Sequence, residues 1–500
     1  MAYSIINRLV TTPPEPGHRI SVVRLGGTET LELTELYRRA GQVAGWLAAQ
    51  GVKPGDRIGI LAANCLEWVL LDLAALRLKV VTAGFEPGRF AAGDELISRY
   101  GFARFFTDQR WDAPGVVPID ELWQRVGDAA SPPPPVSYAP EDVTTLKFTS
   151  GSTGEPKGLA ATVGSIDSSL RAVQRLFAHG DGDGVFVFLP LSLLQQRYWV
   201  YSALCFGHDI TISTYQAAFA ALGRTRPTVV MGVPAFFETA KKHIEAQAAR
   251  GGPGDDGALR REARKLFGDR IRYLWTGSAP ASPAMLRFFD DLGLPIYEGY
   301  GLNETCIVTK NHPGAHRLGS VGQVLPEKQV LIDEDGAISV RCDYPVNTRY
   351  EYAAPSESER MFGPGGVVRT GDLGHLDEDG YLYVRGRADD VIVLGNGKTV
   401  MVRPIEESIR QSHAIDECVL VSPDHAQLVA VVSPVSLPAD AEAIAKQLAY
   451  TNGVFGAAGH ISRVVVAGEP FSVENGLLTS QFKPKRTRIA QAYRSQIEGK

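Results

Sequence analysis

The chain has 500 residues, more than one hydrophobic core usually supports, so two or more domains are expected. Its 44% hydrophobic and 21% charged residues exclude a disordered or fibrous chain. A formal net charge of −5 argues against nucleic acid or an anionic membrane surface as the main partner.

The opening MAYSIINRLV lacks the basic and apolar regions of a signal peptide. No stretch reaches the ~18 apolar residues of a membrane span. The longest candidate, Trp68 to Val81, is interrupted by Asp72, Arg77 and Lys79. Five scattered cysteines (Cys65, Cys205, Cys306, Cys342, Cys418) form no CxxC pair and read as reduced, buried residues. A soluble cytoplasmic protein is the expectation.

In chain order, Leu36, Ala40, Val43 and Leu47 mark one face of a helix. The turn Pro54-Gly-Asp56 leads into a strand from Arg57 to Leu61. Asn64, with Glu67 three residues on, predicts the cap of a helix through Leu78, and Val80 and Val81 begin the next strand. Such alternation implies a largely parallel sheet covered by helices, an α/β fold. The Pro132 to Pro135 run is a stiff surface connection into the apolar run Val143 to Phe148.

Directly after that run comes Thr149-Ser150-Gly151-Ser152-Thr153-Gly154-Glu155-Pro156-Lys157-Gly158. Glycines free backbone N–H groups to turn toward an anion, hydroxyls add donors, and Lys157 adds charge: a triphosphate cradle. It is not a Walker A loop, because Pro156 replaces the second glycine and Gly158 follows the lysine. Composition alone leaves a plain Ser/Gly surface loop open. Further on, Gly180, Gly182 and Gly184 follow no strand and read as a turn, and residues 251–257 form a second loop. Asp377 to Gly380 is a hairpin turn rather than a calcium loop. After Arg387, strands from Val391, Glu417 and Gln427 surround a helix from Pro404 to Gln411, a small α+β domain.

The phosphate loop resembles the signature of the adenylate-forming superfamily of acyl-CoA synthetases, adenylation domains and luciferases. Four more segments match in order: Tyr300-Gly-Leu-Asn-Glu304-Thr, Thr370-Gly-Asp372, Tyr381 to Asp390, and Leu478 to Arg486. The resemblance runs from about Leu33 to the C-terminus. It implies a large AMP-binding domain (1–388) of layered, mostly parallel sheets with a small β-rich subdomain. A mobile lid (389–500) follows, with ATP, Mg²⁺ and CoA as reactants and cofactor.

By resemblance, Thr149 to Lys157 close over the outer phosphates. Gly277, Ser278 and Ala279 pack one face of adenine with Tyr300 opposite, and Glu298, Gly299 and Gly301 are further nucleotide-binding candidates. Glu304 holds Mg²⁺, Asn303 donates to phosphate, and Asp372 with Arg387 takes the ribose hydroxyls. Lys483 offsets charge in the adenylation transition state, chosen over Lys485 and Arg486 because Lys-x-x-Arg matches the family's ending. Rotation at Asp389 withdraws Lys483 and brings the LGNGK segment, Leu394 to Lys398, to the thiol. Taken singly, Glu304 reads equally as a helix-start carboxylate and Asp372 as a turn former. Asn303 departs from the usual threonine, Leu193 from an aromatic gate, and Val402 from a common proline.

No acidic residue occurs between Leu189 and Arg197, which disfavours an amino-acid substrate because a buried ammonium would lack a partner. Leu193, Leu194, Tyr198, Trp199, Gly232, Val233, Phe236 and Phe237 are candidates for an apolar acid pocket, or ordinary core. The lid sequence is most similar to long-chain acyl-CoA synthetases, so a lipophilic acid (fatty, terpenoid or another natural product) is expected. Three readings stand: an acid–CoA ligase, a ligase passing its acyl-adenylate to an acyl-carrier protein, and a non-catalytic nucleotide-binding scaffold. A serine hydrolase is disfavoured by the lack of a GxSxG elbow. The chain is expected to act as a monomer or homodimer.

Overall fold

The computed structural model describes residues 4–88, 90–127, 130–150, 156–250, 257–395, 399–423, 427–456, 459–479 and 482–499. The chain divides into two compact units. The first comprises Met1–Leu331, Ser339–Arg369 and Glu378–Leu382; the second comprises Ile332–Ile338, Thr370–Asp377 and Tyr383–Lys500.

Two large sheets build the first unit. One runs Val116–Pro118, Arg104–Thr107, Arg57–Leu61, Val81–Phe85, Val143–Ser150, Pro156–Thr162. Its first five strands are parallel and the last folds back antiparallel on Val143–Ser150. The nine-stranded sheet has a parallel centre of Ile296–Leu302, Tyr273–Thr276, Val229–Met231, Gly184–Val187, Asp209–Ser213 and Arg19–Arg24. Antiparallel hairpins close both edges: Gly27–Glu32 at one, Cys306–Lys310 with Gln323–Val324 at the other. Central strands such as Val229–Met231 are wholly apolar because helices cover both faces. The expected α/β class with mostly parallel sheets is what the chain adopts.

The helix Leu33–Ala49 buries Leu36, Ala40, Val43 and Leu47, the face read from their spacing. The helix Leu66–Leu78 starts one residue later than an Asn64 cap would place it. Its N-cap is Cys65, whose Sγ accepts from the Trp68 N–H at 3.4 Å. Asn64 instead bridges chain segments: its amide donates to Leu189 O and Ser213 O, both at 2.9 Å, and its Oδ1 accepts from the Leu191 N–H at 2.8 Å. A side chain committed to three distant backbone groups is not free to cap.

Asp72, which breaks the apolar run in the sequence, anchors the centre of the unit. Arg197 is 1% exposed and donates to Asp72 Oδ1 at 2.7 Å, Thr82 Oγ1 at 3.0 Å and Thr145 Oγ1 at 2.9 Å. The Tyr201 hydroxyl donates to the other Asp72 oxygen at 2.5 Å. This network pins the helix Leu194–Phe206 to the six-stranded sheet.

In the second unit, Ile415–Val421 pairs antiparallel with Leu428–Pro434, which runs parallel to Ile461–Val466. The helices Val402–Ile409, Ala441–Phe455 and Arg486–Ala492 accompany this sheet, and the ribbon Val391–Val393 with Thr399–Met401 precedes it. All five cysteines are buried and unpaired. Among the described residues no helix is long and apolar enough to cross a membrane.

Candidate active site

A cleft with about 850 Å³ of empty space lies in the first unit, bordered by Met231, Gly232, Trp275, Gly277, Ser278, Gly299 and Tyr300. These residues sit at or just beyond the carboxyl ends of the parallel strands Val229–Met231, Tyr273–Thr276 and Ile296–Leu302. That is where open α/β sheets hold ligands. Helix Leu194–Phe206 contributes Tyr198 and Trp199 to the opposite wall. Ser278 has φ +68°, a left-handed backbone that costs a non-glycine residue energy. Gly301 is required by a close approach: a Cβ there would fall 1.9 Å from Cys306 O across the hairpin. Glu298 is buried behind the cleft, where Oε1 accepts from the Ala281 N–H at 3.3 Å.

Beneath these strands lies Lys310, fully buried. Its Nζ donates to Tyr297 O at 2.7 Å and Thr276 O at 3.4 Å and stands 3.3 Å from the Trp275 ring centre. Two carbonyls and a π face supply the three acceptors an ammonium needs. Burial drives its pKa well down, and Glu298 pulls it back up. Lys310 thus ties together the two strands that present Gly277–Ser278 and Tyr300.

The phosphate loop joins the antiparallel strands Val143–Ser150 and Pro156–Thr162. Gly151, Ser152, Thr153 and Gly154, and the side chains of Thr149, Ser150 and Asp389, lie outside the described residues, as do residues 396–398 of the LGNGK segment. Lys157 forms an ion pair with Glu357 on the helix Pro355–Met361 and lies 5.0 Å from the Tyr350 ring centre. That ammonium holds the Glu357 carboxyl below its usual range. The Tyr350 hydroxyl donates to Glu304 Oε1 at 2.7 Å. Gly158 and Glu351 exchange backbone hydrogen bonds of 2.8 Å in both directions. One segment, 350–357, therefore engages both phosphate-side candidates, Lys157 and Glu304.

Asn303 is exposed, and its carbonyl accepts from the Lys147 ammonium. It lines a second, smaller pocket of about 360 Å³ together with Leu193, Phe148 and Glu86. Leu193 thus stands with Asn303 rather than in the main cleft. Tyr198, Trp199 and Gly232 do line that cleft, whereas Val233 is buried in an apolar cluster with Phe236 and Phe237. Ala279 is half-buried and does not line the cleft. Among the described residues no cluster of three or more His, Cys, Asp or Glu could cage a metal. Glu304, a single buried carboxylate, suits Mg²⁺, which keeps waters and takes further ligands from substrate phosphates.

In the second unit, Asp372 lies on the strand Val367–Leu376, just after Gly371 at φ +72°. A Cβ on Gly371 would come 2.8 Å from Arg387 Nη2, so glycine makes room for that guanidinium. Arg387 Nη1 donates to Thr370 O at 3.2 Å and to Asp372 Oδ1 at 3.5 Å. Burial, reinforced by Arg403, lowers the Lys483 pKa to about 8; Asp372 opposes the shift and Arg387 adds to it. Lys483, Asp372 and Arg387 thus share one electrostatic cluster. Arg486 is occupied elsewhere, with Glu406 at 2.6 Å, Asp390 at 3.2 Å and Leu420 O at 3.1 Å. That makes it an anchor for the unit.

Residues 11–342 match the AMP-binding enzyme family, and residues 389–499 match the AMP-binding enzyme C-terminal domain. The chain is 28% identical over 456 residues to a putative fatty-acid–CoA ligase, fadD11, of Mycobacterium tuberculosis, covering 78% of this chain and 79% of that protein. It is 28% identical over 538 residues to the long-chain-fatty-acid–CoA ligase FadD15 of Mycobacterium bovis, covering 90% and 89%. The fold is similar to that of an ATP-bound RpMatB–BxBclM chimera, with a TM-score of 0.82 at 21% identity, over 99% of this chain and 100% of that one.

Proposed function

The chain belongs to the AMP-binding enzyme family, and from that premise we propose that it is an ATP-dependent acid–CoA ligase acting on a lipophilic carboxylic acid. The observation that carries this reading is Lys483 held in one cluster with Asp372 and Arg387. A half-buried lysine whose pKa is lowered to about 8 suits a charge-stabilising role in catalysis. The acid's body would rest against Tyr198, Trp199 and Met231, which line the main cleft.

A carboxylate is a poor electrophile, because its charge repels nucleophiles and oxide leaves badly. Transfer of AMP to it cures both defects. The carboxylate oxygen attacks the α-phosphorus in line, the bond to pyrophosphate breaks, and an acyl-adenylate forms. A thiolate then attacks the acyl carbon and AMP departs, leaving a thioester. Catalysis is chiefly alignment and charge stabilisation. Gly277–Ser278 and Tyr300 are the candidates for adenine, and Asp372, whose carboxylate Arg387 contacts, is the candidate acceptor for the ribose hydroxyls. Lys157 and the hydroxyls of Thr149 to Thr153 meet the outer phosphates, with Asn303 nearby. The Lys483 ammonium donates to the carboxylate and the α-phosphate as charge builds. Glu304 would hold Mg²⁺, which neutralises the phosphates and eases the departure of pyrophosphate. Turning at Asp389 would exchange Lys483 for the face that admits CoA.

The test is release of AMP and pyrophosphate with a panel of lipophilic acids, with and without CoA. CoA-dependent thioester formation supports the ligase. Pyrophosphate release that yields thioester only with a carrier protein would move the reading to carrier loading.

A further inference from the structure

On the helix side of the main cleft, two buried side-chain carbonyl oxygens have no hydrogen-bond partner among the described residues. Gln174, on the helix Val163–Phe177, donates through Nε2 to His179 O at 2.8 Å, and its Oε1 is buried without a partner among the described residues. Gln196, 8% exposed on the helix Leu194–Phe206, has an Oε1 in the same condition. Both residues line the cleft.

Ser202, two turns along from Gln196 and 3% exposed, adds a third acceptor. Its Oγ lies 2.9 Å from His208 Nε2, while His208 Nδ1 lies 3.0 Å from Asp209 O. A carbonyl only accepts, so Nδ1 carries the proton. Burial lowers the His208 pKa and keeps the ring neutral. Nε2 is then an acceptor that takes the Ser202 hydroxyl proton, which leaves only lone pairs on Oγ for the cleft. Trp199 and Trp275, edge to face at 5.3 Å, provide the apolar surface beside these groups.

Unmet buried acceptors are costly, and an occupant that brings a donor relieves them. Among the described residues lining the cleft there is no carboxylate, so a cationic donor would stay uncompensated. A neutral hydroxyl matches. We infer that the acid activated here carries a hydroxyl group on its lipophilic body, and is a hydroxylated acid rather than a plain saturated chain. This rests on the acid-activating reading above.

The test uses matched pairs, each a hydroxylated aryl or medium-chain acid with its deoxy parent, read as kcat/KM for pyrophosphate release. The wild type should favour the hydroxylated member of at least one pair by about tenfold or more, since a site built to hydrogen-bond a hydroxyl rejects the analogue lacking it. Gln196→Met and Gln174→Met should erase that preference, with unchanged melting temperature and circular dichroism as fold controls. Should either variant fail to fold, Ser202→Ala serves in its place. Preference for the deoxy parent throughout, a preference untouched by the variants, or turnover of neither member of any pair overturns the inference. Pyrophosphate release does not need CoA, so failure to form a thioester sinks the CoA-ligase reading while leaving the hydroxyl preference measurable.

Discussion

The most quantitative consequence of the site is an alkaline limb in its pH profile. Burial and Arg403 bring the Lys483 pKa to about 8, below the ~10.4 of a free lysine. Lys483 acts as a cation, so its contribution is present below that value and lost as pH rises through it. Titration of one group at about 8 leaves roughly 91% protonated at pH 7 and roughly 9% at pH 9, so kcat/KM for ATP should fall about tenfold between them. kcat/KM reports the free enzyme, the state in which this cluster stands. Arg403→Gln removes the strongest of the neighbouring charges that lower the pKa, and should move the limb to higher pH. Arg403 also pairs with Asp390 at 3.1 Å, so Asp390→Asn, which breaks that contact while keeping the cation, is the control. Steady-state pyrophosphate release from pH 6 to 10 is the assay. A flat profile through pH 9.5, or a downward shift in Arg403→Gln, would refute the reasoning.

Two further outcomes follow from contacts in the first unit. Glu357→Gln removes the carboxylate that holds Lys157, so KM for ATP should drop several-fold with kcat little changed, as steady-state kinetics will read. Asp72→Ala strands the buried Arg197 guanidinium and should destabilise the first unit by ~3–5 kcal/mol, measured as the midpoint shift of urea unfolding.

Local and ordered signals were legible in the sequence, and distant pairings were not. The strand Arg57–Leu61 and the buried face of Leu33–Ala49 follow from alternation and spacing. The family follows from five motifs in order. Residues that hold the site together carry no such signal. Lys157 and Glu357 lie 200 residues apart and Tyr350 and Glu304 lie 46 apart, with nothing in either neighbourhood naming the other. Lys310 reads as an ordinary strand residue next to Asn311, yet it is fully buried under Trp275. Gln174, Gln196 and Ser202 are unremarkable polar residues in helices, and only the fold turns them onto one cleft. Leu193, read as a pocket residue, stands with Asn303 in the smaller pocket because it precedes the helix on which Tyr198 and Trp199 face the cleft.

The central claim is that Lys483 serves the adenylation step of a two-step ligase. The most direct measurement gives Lys483→Ala either ATP and acid, or a preformed acyl-adenylate, each with CoA. The account predicts loss of about 10²–10³-fold in the first reaction, the scale of removing one charge-stabilising donor, with the second near the wild-type rate. Equal loss in both reactions, or full activity in both, would contradict it.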